Sequence, residues 1–498
     1  MNSGSQFEDL SSVTAAVVCD SAAHLCIERD GSMGTMSTKR QATILAYCAT
    51  LAISVAGCCG CSNSSNPTTP PTAELSAKPM TINLGQTVAL AWSSTDASSC
   101  TESTSSAGGD TFTGMGPANG SQTVAPTAAG VVTYTLSCSG AGGSIMPSSV
   151  SVTVNPSILS TLHTFTTIGS TIDPIEGGGN PYGLAIAPIS AGLINAGDLV
   201  ICNFNDGATN TQGDGTTIVG LHPAAGSSPR RIAQSSSLEG CNALTILPDD
   251  SISAAAFVAN LNPLVAPTGV VNNPFSADTF QGPWGEAFAP AANVNRAALY
   301  VSDVSGGTID RISLDGDVQT AFTEIAKGFC ASGVPGAVFA PSGLTYDPSI
   351  DTLYVVDTSS YSVVAFANVA DIGQDGVVVE GNCPSPVATP SPAPTFSGPS
   401  ASSARVIATG GAFNAPISAA LLSDGDLIVG NGDINNPPMP NLLFEISPAI
   451  GFVGDPVQLD TSGTPGALFG LATAVDGNGH QIIYFNDDNT NSVLSLTE

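Results

Sequence analysis

The chain has 498 residues, of which only 10% are charged, and it contains 54 glycines and 35 prolines. This length allows two to four domains, and few charges with many turn formers favour an all-β exported protein over a cytosolic enzyme. The 10 basic residues stand against 40 acidic ones, so the formal net charge is −30. Such a charge repels a phosphate backbone and disfavours nucleic acid as a partner.

Residues 36–57 contain the parts of a bacterial export signal in their usual order. Lys39 and Arg40 form a short basic region, and an apolar stretch too short to span a bilayer ends directly before Cys58. The ending Val-Ala-Gly-Cys resembles the lipobox of bacterial lipoproteins. That resemblance implies a lipid anchor on Cys58 and a place in the cell envelope, at the outer membrane or the cell surface. An ordinary secretory signal cut at Val-Ala-Gly is the alternative.

The segments on either side of this signal lack the pattern of a folded domain. Residues 1–35 contain several acidic residues and no apolar run, so we interpret them as a mis-called, disordered extension with Met33 or Met36 as the true start. Residues 58–72 include a stretch rich in Ser, Asn, Pro and Thr. This composition predicts a flexible tether between the anchor and the first domain.

Six cysteines follow the tether, and an even number in an exported chain favours disulfides. They are Cys100, Cys138, Cys202, Cys241, Cys330 and Cys383. Their order suggests three local pairs, but six cysteines allow fifteen pairings. Only the bond between Cys100 and Cys138 is therefore adopted as a prediction.

Residues 73–155 predict a small β-sandwich. Segments of alternating apolar and polar residues, separated by turn formers, begin at Met80, Val88, Val132 and Val150. The run from Gly85 through Trp92 to the two cysteines resembles immunoglobulin-like modules of bacterial surface proteins. The resemblance implies a spacer that holds the next domain away from the membrane, with adhesion or ligand binding as the alternative.

Residues 156–498 contain a strand that recurs six times with the same ending, which is Asn or Asp. The six end residues are Asn203, Asn260, Asp303, Asp357, Asn431 and Asp487. A second strand, opened in several copies by Pro-x-Gly, precedes most of them, and a third often follows. This repeat predicts a six-bladed β-propeller, in which the end residues cap the following turns by accepting hydrogen bonds from backbone amides.

The ring is expected to close through the segment that begins at Leu159, because it alternates and has no partner of its own. It would pair with Ser492-Val-Leu-Ser-Leu at the last blade and cover two strand edges. We interpret the Pro-rich insertion from Cys383 to Ser403 as an exposed, stiff loop. The alternating pattern also allows a degenerate seventh blade within 367–410.

The Pro-x-Gly turns and the Leu-Tyr-Val-x-Asp strands resemble NHL repeats and the related gluconolactonase-like propellers. That resemblance supports the fold and leaves two functions open. The first is a binding protein that presents a face to a protein, peptide or glycan, and the sequence favours it. The second is a metal-dependent hydrolase of lactones or esters.

The hydrolase alternative requires a metal in the central channel. The resemblance implies one divalent cation, Ca²⁺ or another, held by Glu, Asn and Asp oxygens. Glu286, Asn242 and Asn414 are the candidate ligands, and a solvated Glu286 is the competing interpretation. No GxSxG, HExxH or P-loop motif occurs, so other common hydrolytic chemistries have no support in the sequence.

Overall fold

The computed structural model describes residues 69–498, with gaps at 106–111, 113–118, 276–279, 291–296, 317, 332–337, 382, 384–391, 411–412, 433–440, 463, 465 and 467. The predicted extension at 1–35, the signal at 36–57 with Cys58 directly after it, and most of the tether lie outside the described residues. Within the described part of the chain, none of the helices is long and apolar enough to cross a membrane.

The first domain is a sandwich of two sheets. Its strands are β1 (Thr72–Lys78), β2 (Thr81–Asn83), β3 (Val88–Thr95), β4 (Ser99–Thr104), β5 (Asn119–Val124), β6 (Gly130–Gly140), β7 (Gly143–Ser144) and β8 (Ser148–Asn155). One sheet has the order β1-β3-β5, and the other has the order β2-β8-β6-β4, with β7 paired to β6. The alternating residues of these strands bury one face each, as the pattern predicts.

The sandwich core is formed by side chains from both sheets. Leu90 and Tyr134 are fully buried in it, and Trp92 and Phe112 meet edge to face. Cys100 and Cys138 form the predicted disulfide. They lie opposite each other on neighbouring strands of one sheet, so the bond does not join the two sheets.

The rest of the chain begins with helix α1 (Ile158–Thr161) and continues as strands. They are β9 (Thr164–Ser170), β10 (Gly179–Ile186), β11 (Leu199–Asn205), β12 (Gln212–Leu221), β13 (Arg230–Gln234), β14 (Cys241–Ile246), β15 (Ile252–Ala256), β16 (Asn262–Val265), β17 (Val271–Phe275), β18 (Pro283–Ala289), β19 (Ala297–Asp303), β20 (Thr308–Asp315), β21 (Val318–Lys327), β22 (Pro341–Asp347), β23 (Thr352–Asp357), β24 (Ser362–Ala367), β25 (Val377–Glu380), β26 (Thr395–Ser397), β27 (Ala404–Thr409), β28 (Pro416–Leu421), β29 (Leu427–Asn431), β30 (Leu442–Ser447), β31 (Gly451–Gln458), β32 (Leu471–Val475), β33 (Gln481–Asp487) and β34 (Ser492–Thr497). Short 3₁₀ turns occupy Ser236–Leu238, Val369–Asp371 and Ala401–Ser403.

These strands form six antiparallel sheets, named ring sheets 1 to 6. Their orders are β10-β11-β12-β13, β14-β15-β16-β17, β18-β19-β20-β21, β22-β23-β24-β27, β28-β29-β30-β31 and β32-β33-β34-β9. The first strand of each ring sheet contacts the first strand of the next, and β32 contacts β10. Six apolar clusters lie between successive ring sheets. The predicted all-β propeller is confirmed.

The ring closes through β9, which pairs with β34 in the last sheet. The closing strand begins at Thr164, five residues later than the alternation at Leu159 suggested, because Ile158–Thr161 forms a helical turn. Ile168 of β9 is buried in the apolar cluster that also contains side chains of ring sheet 1. The N-terminal end of the ring therefore holds its C-terminal strand.

The segment between β24 and β27 joins the outer edge of ring sheet 3. Strand β25 pairs with β21 in parallel, and β26 pairs with β25, so this sheet has six strands. The strands described within 367–410 thus extend existing sheets and form no sheet of their own. A disulfide joins Cys330, after β21, to Cys383, after β25, and a further one joins Cys202 of ring sheet 1 to Cys241 of ring sheet 2.

The glycines of the Pro-x-Gly motifs let neighbouring inner strands approach each other. A Cβ on Gly285 would lie 2.0 Å from the carbonyl oxygen of Ser342, and one on Gly343 would lie 2.6 Å from that of Ile417. Only a residue without a side chain fits at such a distance from backbone. The recurring glycine therefore allows the short distance between neighbouring inner strands.

We expect Gly285→Ala to lower the free energy of unfolding by about 3 kcal/mol, because the added methyl group meets backbone that cannot move aside. Gly477→Ala is the matched control, since a Cβ there meets nothing within 4 Å. Urea unfolding of both variants measures the difference. Equal stability of the two variants would contradict the close approach.

Candidate functional site: the central channel

The six inner strands surround a central channel, and one end of it is closed by aromatic side chains. The ring of Tyr182 stacks between Phe204 and Phe469, at centroid distances of 4.2 and 3.8 Å. The edge of Trp284 meets Tyr182 and Phe204. Tyr182 and Trp284 are 1% and 4% exposed. Tyr182 and Trp284 lie near the start of their inner strands, so the channel is closed where those strands start.

The channel is accessible where the inner strands end. Ala185, Thr245 and Thr345 lie past the middle of their strands and are half-buried, and Val475 at the end of β32 is 49% exposed. Between the two ends is a cavity of about 280 Å³ lined by residues of all six ring sheets. The cavity is a cup, with an aromatic closed end and an open mouth.

The wall of the cup consists mainly of backbone and small side chains. Its lining includes Gly183, Ala243, Gly285, Gly343 and Ala420. Each inner strand is the terminal strand of its ring sheet and pairs on one edge only. In such a strand, alternate N–H and C=O groups point away from the sheet, here toward the axis. The cup therefore offers many uncharged hydrogen-bonding groups at fixed positions.

Glu286 is the one acidic residue among the described residues that line the cup, and its carboxyl group reaches Ser253 of the neighbouring ring sheet. Ser253, on the second strand of ring sheet 2, donates a hydrogen bond of 3.0 Å to Oε1 of Glu286. Oε2 is buried without a hydrogen-bond partner. Glu286 lies opposite Val301 of β19 in ring sheet 3. The equivalent position in ring sheet 1 is Leu184, which lies opposite Ile201.

The buried position of Glu286 keeps its carboxyl group neutral. Desolvation raises its pKa to about 8, and hydrogen bonds from Asn262 and Ser253 oppose the rise only in part. At neutral pH, the group fills a polar pocket between ring sheets 2 and 3.

The other two predicted metal ligands do not complete a site around Glu286. Asn242 lines the cup, but its amide nitrogen donates a 2.7 Å hydrogen bond to the carbonyl of Trp284, and its Oδ1 is buried without a partner. Asn414 is not among the lining residues, and its backbone N–H donates to Asn431. This donor set does not favour a divalent cation, and we derive no reaction through a metal in the channel.

The six predicted turn-capping residues take different roles. Asp303, Asp357 and Asp487 accept hydrogen bonds from groups in the turns that follow them. Asn203 donates to the carbonyl of Thr171, and Asn431 accepts from the N–H of Asn414. These two asparagines therefore bind the loops that precede their own inner strands.

Asn260 differs from the prediction because ring sheet 2 has a shifted repeat. Its second strand ends at Ala256, which lies opposite Cys241, in the place where the other sheets have Asn or Asp. Asn260 lies in the turn beyond, with a left-handed backbone, and donates to the carbonyl of Phe280. Every residue of β15 is buried, so apolar pattern alone could not locate the end of this strand.

Sequence reasoning missed two features of the ring. The aromatic closed end comes from Tyr182, Trp284 and Phe469, each directly before a glycine at the start of an inner strand, and aligning the repeats on that glycine would have shown it. The second feature is a group of three acidic residues in ring sheet 5, Asp424, Asp426 and Glu445. Two of these lie in a hairpin turn and the third on a different strand, so no single motif contains them.

Comparison with known proteins finds solved structures that are similar to this chain but assigns it to no family. No family model matches the chain, and no curated protein matches its sequence. A protein of unknown function from Bacteroides thetaiotaomicron is 13% identical, with 87% of this chain and 99% of that chain covered and a TM-score of 0.44. An auxiliary nutrient binding protein from Bacteroides ovatus is 11% identical, with the same coverage and a TM-score of 0.43.

A third similar structure is virginiamycin B lyase from Staphylococcus aureus. It is 14% identical, with 67% of this chain and 99% of that chain covered and a TM-score of 0.40. Similarities at this level carry no conclusion about activity. The assignment of this chain to the β-propeller fold rests on its own strand pairing.

Proposed function

We propose that the protein is an exported, lipid-anchored binding protein whose channel cup holds an uncharged, hydroxyl-rich group, such as the terminal sugar of a glycan. The observation that carries this proposal is the wall of the cup, which combines the free edges of six strands with small side chains. Backbone donors and acceptors at fixed positions match the hydroxyl groups of a sugar. The aromatic closed end supplies an apolar floor for its carbon skeleton.

The size of the cup agrees with a small ligand or with the end of a larger one. Ligand sites usually measure about 300 to 1,000 Å³, and the cup, at about 280 Å³, is at the lower limit. A ligand with a net charge is disfavoured, because no ionised side chain lines the described part of the cup and charge burial requires a partner.

Export and anchoring are supported by the signal-like sequence before Cys58 and by three disulfides in the described residues. Disulfides persist in oxidising compartments. In this proposal, the tether and the sandwich hold the ring away from the membrane. The sandwich is a spacer, as expected from its resemblance to immunoglobulin-like modules.

The test is a binding screen of neutral and anionic oligosaccharides, with hits measured by titration calorimetry. Thr345→Arg places a long charged side chain in the wall of the cup and is expected to weaken binding of a neutral hit at least tenfold. Thr320→Arg, at an exposed position of β21, is the matched control and is expected to bind normally. Binding of a hit that is unaffected by Thr345→Arg, or a preference for anionic ligands, would contradict the proposal.

A further inference from the structure

The three acidic residues of ring sheet 5 lie where the sandwich and the ring meet. Asp424 and Asp426 are in the turn between β28 and β29, and Glu445 is on β30. Asn83 of the sandwich donates a 2.9 Å hydrogen bond to Oδ2 of Asp424, and Gln86 donates to its carbonyl. The turn that carries the two aspartates is therefore also the contact point of the two domains.

Glu445 contacts the covalent connection between the domains. Its two carboxylate oxygens accept hydrogen bonds from the backbone N–H groups of Ile158 and Leu159, at 3.3 and 2.6 Å. These residues begin α1, which follows the last strand of the sandwich. All three acidic residues thus touch, or lie beside, segments that fix the sandwich to the ring.

The three carboxylates are close together, and two of them are buried. One oxygen from each lies within 4.8 Å of the others. Asp426 and Glu445 are 3% and 1% exposed, and Asp424 is half-buried. Among the described residues, no basic side chain forms an ion pair with any of these three carboxylates. Like charges at this distance in a buried place require protons or a cation.

A second observation points to a cation. Oδ2 of Asp426 is buried and has no hydrogen-bond partner. The hydroxyl group of Ser447, which lies close to Asp426, donates a hydrogen bond to the carbonyl of Gly85. A Cβ on Gly85 would lie 2.6 Å from Oδ2 of Asp426, so glycine keeps the sandwich backbone beside this oxygen. The site therefore contains an oxygen ligand without a partner.

We propose that Asp424, Asp426 and Glu445 bind one Ca²⁺ ion, which fixes the sandwich to the ring. Ca²⁺ takes six to eight oxygen ligands at about 2.3–2.6 Å, so two oxygens bound to one ion can lie up to about 5 Å apart. Mg²⁺ requires about 2.0–2.1 Å and a regular octahedron, which a set of ligands from one turn and one separate strand satisfies less readily. The carboxylates supply the charge, and water completes the ligand shell.

Bound Ca²⁺ has a consequence for the whole molecule. The ion neutralises the three carboxylates, which would otherwise repel one another. It also holds the Asp424 turn in the position that Asn83 and Gln86 contact. Without the ion, the carboxylates repel one another or take up protons, and no ion holds the Asp424 turn against Asn83 and Gln86. The angle between sandwich and ring then becomes variable, while the ring itself stays folded.

The experiment is calorimetric titration of Ca²⁺ into the full chain after treatment with EDTA, with Mg²⁺ titrated in parallel. We expect one Ca²⁺ site, and at least tenfold weaker binding in Asp426→Asn. Asp310→Asn is the matched control, because Asp310 is also buried but belongs to ring sheet 3. It is expected to bind Ca²⁺ like the parent chain. Asp424→Asn, at a more exposed position, replaces Asp426→Asn if that variant does not fold.

Three results would overturn this proposal. They are no heat of binding with Ca²⁺, unchanged Ca²⁺ binding in both aspartate variants, and Mg²⁺ binding at least as tight as Ca²⁺ binding. Small-angle scattering gives an independent readout. The maximum dimension of the chain is expected to vary more widely after EDTA and to return to one value with Ca²⁺; scattering curves that are identical with and without Ca²⁺ would contradict a role at the junction.

Discussion

Ile168→Asp is expected to unfold the ring or to lower its free energy of unfolding by more than 4 kcal/mol. Ile168 is 3% exposed and packs in the cluster between the last and the first ring sheets. An aspartate there is a buried charge without a partner, which is among the most destabilising substitutions known. It also separates β9 from β34, so the last ring sheet loses its fourth strand.

The neighbouring residue provides the control for this prediction. Thr167 is on the same strand, is exposed, and also pairs with β34. Thr167→Asp introduces the same side chain on the opposite face and is expected to change stability by no more than about 0.5 kcal/mol. Thermal and urea unfolding of the two variants give the comparison. Similar stabilities would show that β9 does not hold the ring closed.

Glu286→Gln is expected to be more stable than the parent chain at pH 8 and to lose that advantage at pH 5. The folded chain raises the pKa of Glu286 from 4.5 to about 8. Between these values the folded state binds a proton that the unfolded state releases, so the parent chain loses stability as pH rises from 5 to 8. The loss is about 3 kcal/mol. Gln carries no such proton and removes this dependence.

Urea unfolding at pH 5 and pH 8 tests this prediction, with Glu74→Gln as the control at an exposed position of β1. Glu286→Leu extends the test, because Leu184 and Leu344 occupy the same register position in other ring sheets. We expect this variant to fold. A parent chain and a Glu286→Gln variant with the same pH dependence would show that the carboxyl group is ionised, as a metal ligand would be.

The fold was predictable because each repeat is encoded locally. The glycine two residues after Pro283 or Pro341 is required by a close approach of backbone, and the next strand is a short apolar run that ends in Asp. Pairings between distant segments were not predictable in this way. Strands β25 and β26 join ring sheet 3 although the strands before and after them belong to ring sheet 4, and nothing in their local pattern specifies that partner.

The candidate site was predictable only in part, for physical reasons. The sequence identified Glu286 as a candidate, but its charge state depends on burial and on Ser253 and Asn262. Those partners come from a different repeat. The closeness of Asp426 and Glu445 likewise depends on strand pairing, which brings β30 beside β29.

The proposed function requires a channel that is closed at one end by aromatic residues and open to a neutral ligand at the other. The chain has two tryptophans, so Trp92→Phe leaves Trp284 as the only one, directly beside Gly285 in the wall of the cup. The fluorescence of Trp284 in this variant, during titration with a neutral oligosaccharide hit and with iodide, tests this requirement directly. We predict a saturable change with the oligosaccharide and little quenching by iodide, since Trp284 is 4% exposed. Strong quenching by iodide, or an emission that the bound oligosaccharide leaves unchanged, would contradict the cup.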